Sequence, residues 1–260
     1  VIRGKGCKPS DAHKLAYRLL APDVGSIPPS ADLSKYQPQI LDQGPTGACT
    51  AHATAAAIYT AYEGTLTWVP SPKSIYAITR GLERGVATIA GGTLPPLSDS
   101  GAMLADVFQA VREFGVCPMG TSVEGRNSDC DASNVLTEPS IADLEVANSR
   151  PILGPYKSDL QQPATLAQAI SLGFPVVVAF FCDTTFENLQ AGQVAGKPNM
   201  SDTQGGGHAV YLSGYTINAA GNYTFTLTNS WGEGWCDKGK CLVGQDWLDA
   251  AWEAWPCVPH

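Results

Sequence analysis

Residues 41–64 read LDQGPTGACTAHATAAAIYTAYEG. A Gly/Pro/Thr turn runs into a single cysteine, and an alanine-rich stretch without glycine or proline follows over 49–63. That composition predicts a helix, so Cys49 falls where the helix begins. The first turn of a helix presents unpaired N–H groups and the positive end of the helix dipole, and both stabilise a thiolate. A cysteine kept only for packing has no need of such a place. The stretch therefore poses a chemical question: which residue supplies the imidazole that would complete an activated thiol?

The chain has four histidines. His13 and His260 lie in terminal segments. His52 shares the helix face of Cys49, but nothing after it resembles an orienting partner. His208, in GGGHAVYLSGY, begins a strand directly after three glycines, where backbone can approach closely. Asn229, in LTNSWGEGW, ends the next strand. The start of one strand and the end of the next are neighbours in an antiparallel hairpin, so the two side chains can meet. An imidazole that moves protons needs such a partner to fix its tautomer and orientation.

Around these residues the texture changes once. Helical patterns occupy 71–85 and 99–115, the second with Leu104, Val107, Phe108, Val111 and Phe114 on one face, and a short helix is expected at 165–173. FPVVVAFF (174–181), HAVYLSGYTI, YTFTLTNS and KCLVG then read as strands. DWLDAAWEAW (246–255) reads as a closing helix, DAHKLAYRLL (11–20) as a short one, SIPPSADLSKYQPQI as extended, and 186–207 as a long surface loop. Helices first and strands second predict an α+β protein of two lobes. The expected division is an N-terminal extension at 1–26 and one two-lobed unit at 27–260. Its helical lobe would cover roughly 41–160 and its β-rich lobe roughly 161–260.

The formal charge of −8 over 260 residues argues against a nucleic-acid partner or an anionic membrane surface. No apolar run reaches the ~18 residues a bilayer span requires. The chain begins at Val1 without a leader, read as the mark of a processed product. Eight cysteines suggest disulfides and a secreted or other extracytoplasmic, oxidising location. No C-x-x-C pair supports a metal site, and neither a metal nor an organic cofactor is expected. Asn199-Met200-Ser201 and Asn222-Tyr223-Thr224 are glycosylation sequons that chance also produces.

Cys, His and Asn in this order, in the contexts QGPTGAC, GHAV and NSWGEGW, resemble the papain-like cysteine proteases. Cys49 precedes His208 by 159 residues and Asn229 by 180, somewhat longer than that family's usual spacing, and the loop at 186–207 accounts for the excess. IPPSADL, SPKSIYAITR and REFGVCP look like the bacterial branch. The resemblance runs from about Ile27 to Trp247. It implies a papain-like fold, a helical lobe and an antiparallel β-barrel lobe with the active site in the cleft between them. It also implies the family's roles: Cys49 as nucleophile, His208 as general base and acid, Asn229 as the residue that orients the imidazole, and Gln43 as an oxyanion donor beside the Cys49 N–H. Trp231 resembles the tryptophan that covers the His–Asn pair. Alignment on EFGV places Ser100, Gly101 and Ala102 against the substrate backbone. Met103, Leu104, Ala179 and Gly206, with Gly207 beside it, then resemble pocket lining, which implies a hydrophobic P2 preference.

The implied activity is that of a cysteine endopeptidase acting on peptides or proteins through a thioester acyl-enzyme. The competing expectations are a transglutaminase-like acyltransferase, which normally uses Asp as third member, and a silent binding or inhibitory homologue. The sequence also departs from the family pattern. Thr50 replaces a common tryptophan, and Thr46 and Asp99 stand where the family has a cysteine pair. The cysteines must then pair differently if they pair, and Cys236–Cys241 and Cys117–Cys130 are guesses. Cys7 and the Pro-rich tether at IPPS suggest that residues 1–26 cross the cleft like a retained prosegment, as in a zymogen, and inhibit it from within the chain.

Overall fold

The computed structural model describes residues 3–11, 26–84, 96–148 and 162–259. Helix α1 covers Cys49–Ala61, and all of it except Tyr59 is buried. Small and apolar residues surround it, the pattern of a helix enclosed by its neighbours. Helices α2 (Pro72–Arg84) and α3 (Leu104–Phe114) are amphipathic and lay their apolar faces against it. Leu104, Val107, Phe108 and Val111 are buried as their spacing predicts, and Phe114 is half-buried. α3 starts five residues later than the sequence suggests. Gly101, at φ +75°, breaks the run, and Ala102–Met103 form a short strand instead. Helix α4 (Ile141–Asn148) was not foreseen: only Ala147 is buried, so no apolar periodicity marks it. Helix α5 (Pro163–Ser171) begins with proline at its first position, and α6 (Thr184–Glu187) is a single turn capped by Asp183.

The strands are β1 (Cys7–Lys8), β2 (Ser30–Asp32), β3 (Ala102–Met103), β4 (Val176–Cys182), β5 (Val194–Ala195), β6 (Gly206–Ile217), β7 (Tyr223–Thr228), β8 (Lys240–Gly244) and β9 (Ala251–Pro256). Seven of them form one sheet, ordered β5-β8-β7-β6-β4-β9 with β2 added to β6. Its pairings are antiparallel apart from β5 with β8. One core gathers α1, α2 and α3 with Val177, Ala179, Ala209 and Tyr211 of the sheet. The other lies between α5, the opposite residues of β4 and β6, and Trp231, Trp235 and Trp247. β4 feeds both cores, which is why FPVVVAFF is apolar without alternation.

Three expectations change. Residues 246–255 are not a helix: a 3-10 turn covers Gln245–Ala250 and β9 follows. Alanine and glutamate favour helix locally, but β4 offers an open edge that β9 closes, burying Ala254 and Trp255. The loop at 186–207 carries the end of α6 and strand β5 within its exposed path. All eight cysteines are free thiols. Cys117 donates to the Asp143 carbonyl while Cys130 is buried against α1, and Cys241 points into the second core with Cys236 at its margin. Neither guessed disulfide exists, so the argument from cysteine count to an oxidising compartment loses its bridge. The helix expected at 11–20 lies almost wholly outside the described residues. Among the described residues no helix is long and apolar enough to cross a membrane.

Candidate active site

The turn before α1 is held by polar contacts. The Gly47 N–H donates to Asp99 Oδ1 at 2.9 Å, and the Tyr76 hydroxyl donates to the same oxygen at 2.8 Å. The Thr46 hydroxyl donates to the Gln43 carbonyl at 2.8 Å. Asp99 thus ties its segment to the turn at Gly47, while Thr46 bonds only within that turn. Cys49 opens the helix with its sulfur facing the N–H groups of Ala209, Gly6 and Thr50 and its own N–H. Ala209 follows His208 on β6, so the thiol lies against the strand that carries the imidazole.

His208 Nε2 is 2.9 Å from Asn229 Oδ1. The same oxygen accepts the Ser230 N–H at 2.8 Å, which fixes the amide orientation. Nε2 must then carry the proton and donate, leaving Nδ1 with a free lone pair. Nδ1 is buried without a hydrogen-bond partner among the described residues. The Trp231 ring stacks on His208 at 4.5 Å between centroids and 19° between planes, covering the His–Asn bond. His52 is settled differently. Nδ1 meets the Ala48 carbonyl and Nε2 meets Ser128 Oγ, each at 2.8 Å, so neither nitrogen is free for proton transfer.

Gln43 is fully buried, and its Oε1 accepts the Ser230 hydroxyl at 2.6 Å. That bond directs Nε2 toward the carbonyls of Thr46, at 2.8 Å, and Gly4, at 3.1 Å. Ser230 stands in the NSWG stretch, but sequence reasoning gave it no role; its backbone orients Asn229 and its hydroxyl orients Gln43.

Gly4 belongs to the N-terminal segment, and residues 3–10 of that segment fill the groove. The Gly4 carbonyl also accepts the Trp231 indole N–H at 3.3 Å, and Arg3 lies over the Trp231 ring at 5.1 Å. Lys5 pairs with Glu187, and Lys8 pairs with Glu83 at 2.8 Å. β1 adds to β3 in parallel, Cys7 opposite Ala102 and Lys8 opposite Met103. Glycine makes the fit possible. A Cβ on Gly4 would meet the Thr46 carbonyl oxygen at 1.9 Å, one on Gly6 the Gly47 carbonyl oxygen at 2.4 Å, and one on Gly207 the Cys7 carbonyl oxygen at 1.9 Å. The alternation of glycine in RGKGC, with Lys5 turned outward to Glu187, is the sequence signal that was available for this contact.

The expected substrate-binding residues surround the same segment. Gly101 and Ala102 line it, with the Ala102 N–H donating to the Gly6 carbonyl at 2.8 Å. Met103 pairs with Lys8, Gly206 meets the Lys5 stem, Gly207 meets Cys7, and Trp231 meets Arg3 and Gly4. Leu104 and Ala179 are buried in the core that Cys7 also joins, and Ser100 is exposed.

Burial governs the electrostatics of this closed state. It pushes the Cys49 thiol up to about 11 against the lowering effect of the N–H groups. It pushes His208 down to about 4, with Asn229 opposing and Lys5 adding to the shift. Thiol and imidazole are therefore both neutral while the segment is seated.

The sequence model described as "Papain family cysteine protease" matches residues 101–247, more than half of the chain, a span that holds His208 and Asn229 but begins after Cys49. An uncharacterized peptidase C1-like protein of Acanthamoeba polyphaga mimivirus is 27% identical over 207 residues, covering 75% of this chain and 60% of that protein. The gamete and mating-type specific protein A of Dictyostelium discoideum is 24% identical over 214 residues, covering 82% and 42%. The chain thus spans 60% or less of the length of these curated relatives. Xylellain, a cysteine protease from Xylella fastidiosa, superposes with a TM-score of 0.71 at 23% identity, covering 98% of this chain and 96% of that one. The digestive procathepsin L 3 of Tenebrio molitor larval midgut gives 0.67 at 18% identity, with 98% and 76% covered. The bromelain protease of Ananas comosus, in complex with the E64 inhibitor, gives 0.61 at 20%, with 89% and 100% covered. These likenesses establish the papain-like two-lobed α+β fold, and with the profile match they show that the chain belongs to the papain family of cysteine proteases.

Proposed function

We propose that this chain is a latent cysteine endopeptidase whose groove is closed by its own N-terminal segment. The observation that carries the reading is the imidazole of His208. Asn229 holds its proton on Nε2 and leaves Nδ1 free, on the strand against which the Cys49 sulfur rests. When a peptide enters the groove, Nδ1 takes the thiol proton and the sulfur attacks the carbonyl carbon. The oxyanion is held by Gln43 Nε2 and the Cys49 N–H. The imidazolium returns its proton to the departing amine, leaving a thioester. His208 then draws a proton from water, which attacks the thioester and frees the acid.

The seated segment is an occupant rather than a substrate. The Gly4 carbonyl rests on Gln43 Nε2, and the sulfur faces the Gly6 N–H two residues on. Substrate backbone would add to β3 as β1 does now. The pocket walls at Met103, Leu104 and Ala179 are apolar, as the expected hydrophobic P2 preference supposes. Residues 1–26 act in this reading as a prosegment-like extension, and Asn229 in place of Asp speaks against the acyltransferase alternative.

Gln43→Ala is expected to lower kcat on the order of 10²-fold, the effect of losing one oxyanion donor. The measurement is hydrolysis of a fluorogenic peptide by a chain whose segment is dislodged by Gly6→Val, because Gln43 also holds Gly4. An unaltered kcat would remove Gln43 from the mechanism.

A further inference from the structure

Strand β3 is the edge to which β1 adds now, and among the described residues β1 is its one strand partner. Once the N-terminal segment leaves, a strand of two residues stands without a ladder, and so short a piece does not hold its shape unaided in water. Its backbone groups divide by direction. In an extended chain the N–H and C=O of one residue face one side and those of its neighbours the other. Ala102 faces the groove and donates its N–H to the Gly6 carbonyl at 2.8 Å. The groups of Gly101, just before the strand, and of Met103 turn the other way. They too need partners, and those partners are side chains of α2.

The Tyr76 hydroxyl accepts the Gly101 N–H at 3.0 Å and donates to Asp99 Oδ1 at 2.8 Å. Burial first, and then Asp99, push the Tyr76 phenol well above its ordinary value, so it keeps the proton it donates. Arg80 Nη1 donates to the Gly101 carbonyl at 2.8 Å, and Arg80 Nε to the Ser98 carbonyl at 3.0 Å. Glu83 Oε1 accepts the Met103 N–H at 2.6 Å, while its Oε2 pairs with Arg80 and, at 2.8 Å, with Lys8. Tyr76, Arg80 and Glu83 stand at i, i+4 and i+7 of α2, the spacing of one helix face. Tyr76 and Arg80 are buried, and the Glu83 side chain is 4% exposed. Arg80 and Glu83 thus form an enclosed ion pair whose further donors and acceptors meet backbone, the condition under which such a pair is tolerated. Lys8 departs with the segment, whereas the contacts made from α2 stay behind.

We propose that Tyr76, Arg80 and Glu83 are positioning residues: they form a side-chain ladder from α2 that holds β3 with its free edge toward the groove, ready to take an incoming peptide as a new strand. The inference rests on the peptidase reading and deepens it. In an ordinary sheet a neighbouring strand fixes the edge that a peptide joins; here one face of a helix does so. The three side chains act through the backbone of residues 101–103 and not on the thiol. A Gly101 N–H left buried without its acceptor disfavours the ordered strand. A defective ladder therefore weakens peptide affinity and leaves the chemistry at Cys49 as it was. Tyr76→Phe isolates this effect, because Asp99 keeps the Gly47 N–H on its two oxygens, at 2.9 and 3.1 Å, and the turn before α1 stays tied.

The test is made on the full chain opened by Gly6→Val, with and without Tyr76→Phe. Two reagents report on Cys49: iodoacetamide, which is too small to need β3, and a peptidyl chloromethyl ketone, whose peptide must lie along it. Inactivation by the second saturates with concentration and yields a binding constant KI and a rate constant kinact. Tyr76→Phe is expected to raise KI about tenfold and to leave kinact and the iodoacetamide rate unchanged. Glu83→Met, which removes the acceptor from Met103, is expected to raise KI more than Glu83→Gln, which keeps one. An unaltered KI in Tyr76→Phe, equal KI values for the two Glu83 variants, or an iodoacetamide rate that falls as far as the peptide reagent's overturns the proposal. Hydrolysis of the fluorogenic peptide is read separately on the opened chain without these substitutions. The expected KI shifts without any hydrolysis would refute the peptidase reading and leave the ladder standing.

Discussion

Gly6→Val is expected to raise the rate of peptide hydrolysis by about 10- to 100-fold, because overpacking of a tight contact costs about 1–3 kcal/mol and each 1.4 kcal/mol is tenfold in an equilibrium. A Cβ at this position would lie 2.4 Å from the Gly47 carbonyl oxygen and 2.7 Å from its Cα, both backbone atoms of the turn before α1. That turn is tied to Asp99 and Tyr76 and cannot yield easily. The segment must lift instead, carrying Gly4 from Gln43 and Cys7 from Ala102. The substitution replaces no residue of the groove itself, although the added Cβ also meets Gly101 Cα at 2.9 Å. Acid alone should open the groove little: transfer of the thiol proton to the imidazole leaves the number of protons on the Cys49–His208 pair unchanged, so closed and open states bind the same number until the thiolate itself is protonated. Lys5, the one charged group that shifts His208, opposes its protonation while seated and withdraws with the segment. Hydrolysis measured before and after the substitution, and limited proteolysis of residues 3–11 against pH, check both statements. A Gly6→Val chain no faster than its parent would mean that the segment does not limit access.

Cys49→Ala in the same opened chain is expected to reduce hydrolysis to background. The remaining groups can bind and polarise a carbonyl, but no other thiol can form the acyl-enzyme. Cys7 moves away with the segment, and Cys130, Cys182 and Cys257 are fully buried. Groups that act as a unit fail together, so His208→Ala should lose nearly as much as Cys49→Ala, and the double variant little more. The check is the initial rate on the fluorogenic peptide at high enzyme concentration. Residual turnover within tenfold of the opened parent would assign the chemistry elsewhere.

The elements around the site were legible because their sequences are locally unambiguous. The alanine-rich run of α1 has no competing reading, and the order Cys49, His208, Asn229 fixed the hairpin that brings β6 and β7 together. What was missed depends on contacts distant in sequence. AWEAWP carries helix-forming residues, yet becomes β9 because β4 needs a partner. Thr46 and Asp99 could be read as a lost cysteine pair, but the bond from the Gly47 N–H to Asp99 that joins the two segments could not. The crossing of the groove by the first residues was suggested by Cys7 and the Pro-rich tether, whereas the alternating glycines at 4 and 6 are what permit it.

In the proposed mechanism the Cys49 thiol is neutral while covered and charged once the imidazole beside it can take its proton. The most direct measurement is the rate of Cys49 alkylation by iodoacetamide against pH, with the modified residue identified by mass spectrometry, in the parent chain and in Gly6→Val. The parent should react slowly near neutral pH, as a thiol pushed up to about 11 must. The opened chain should react fast, with reactivity persisting well below pH 7. An opened chain whose reactivity rises only near pH 8.5, the ordinary range of a cysteine, would contradict it.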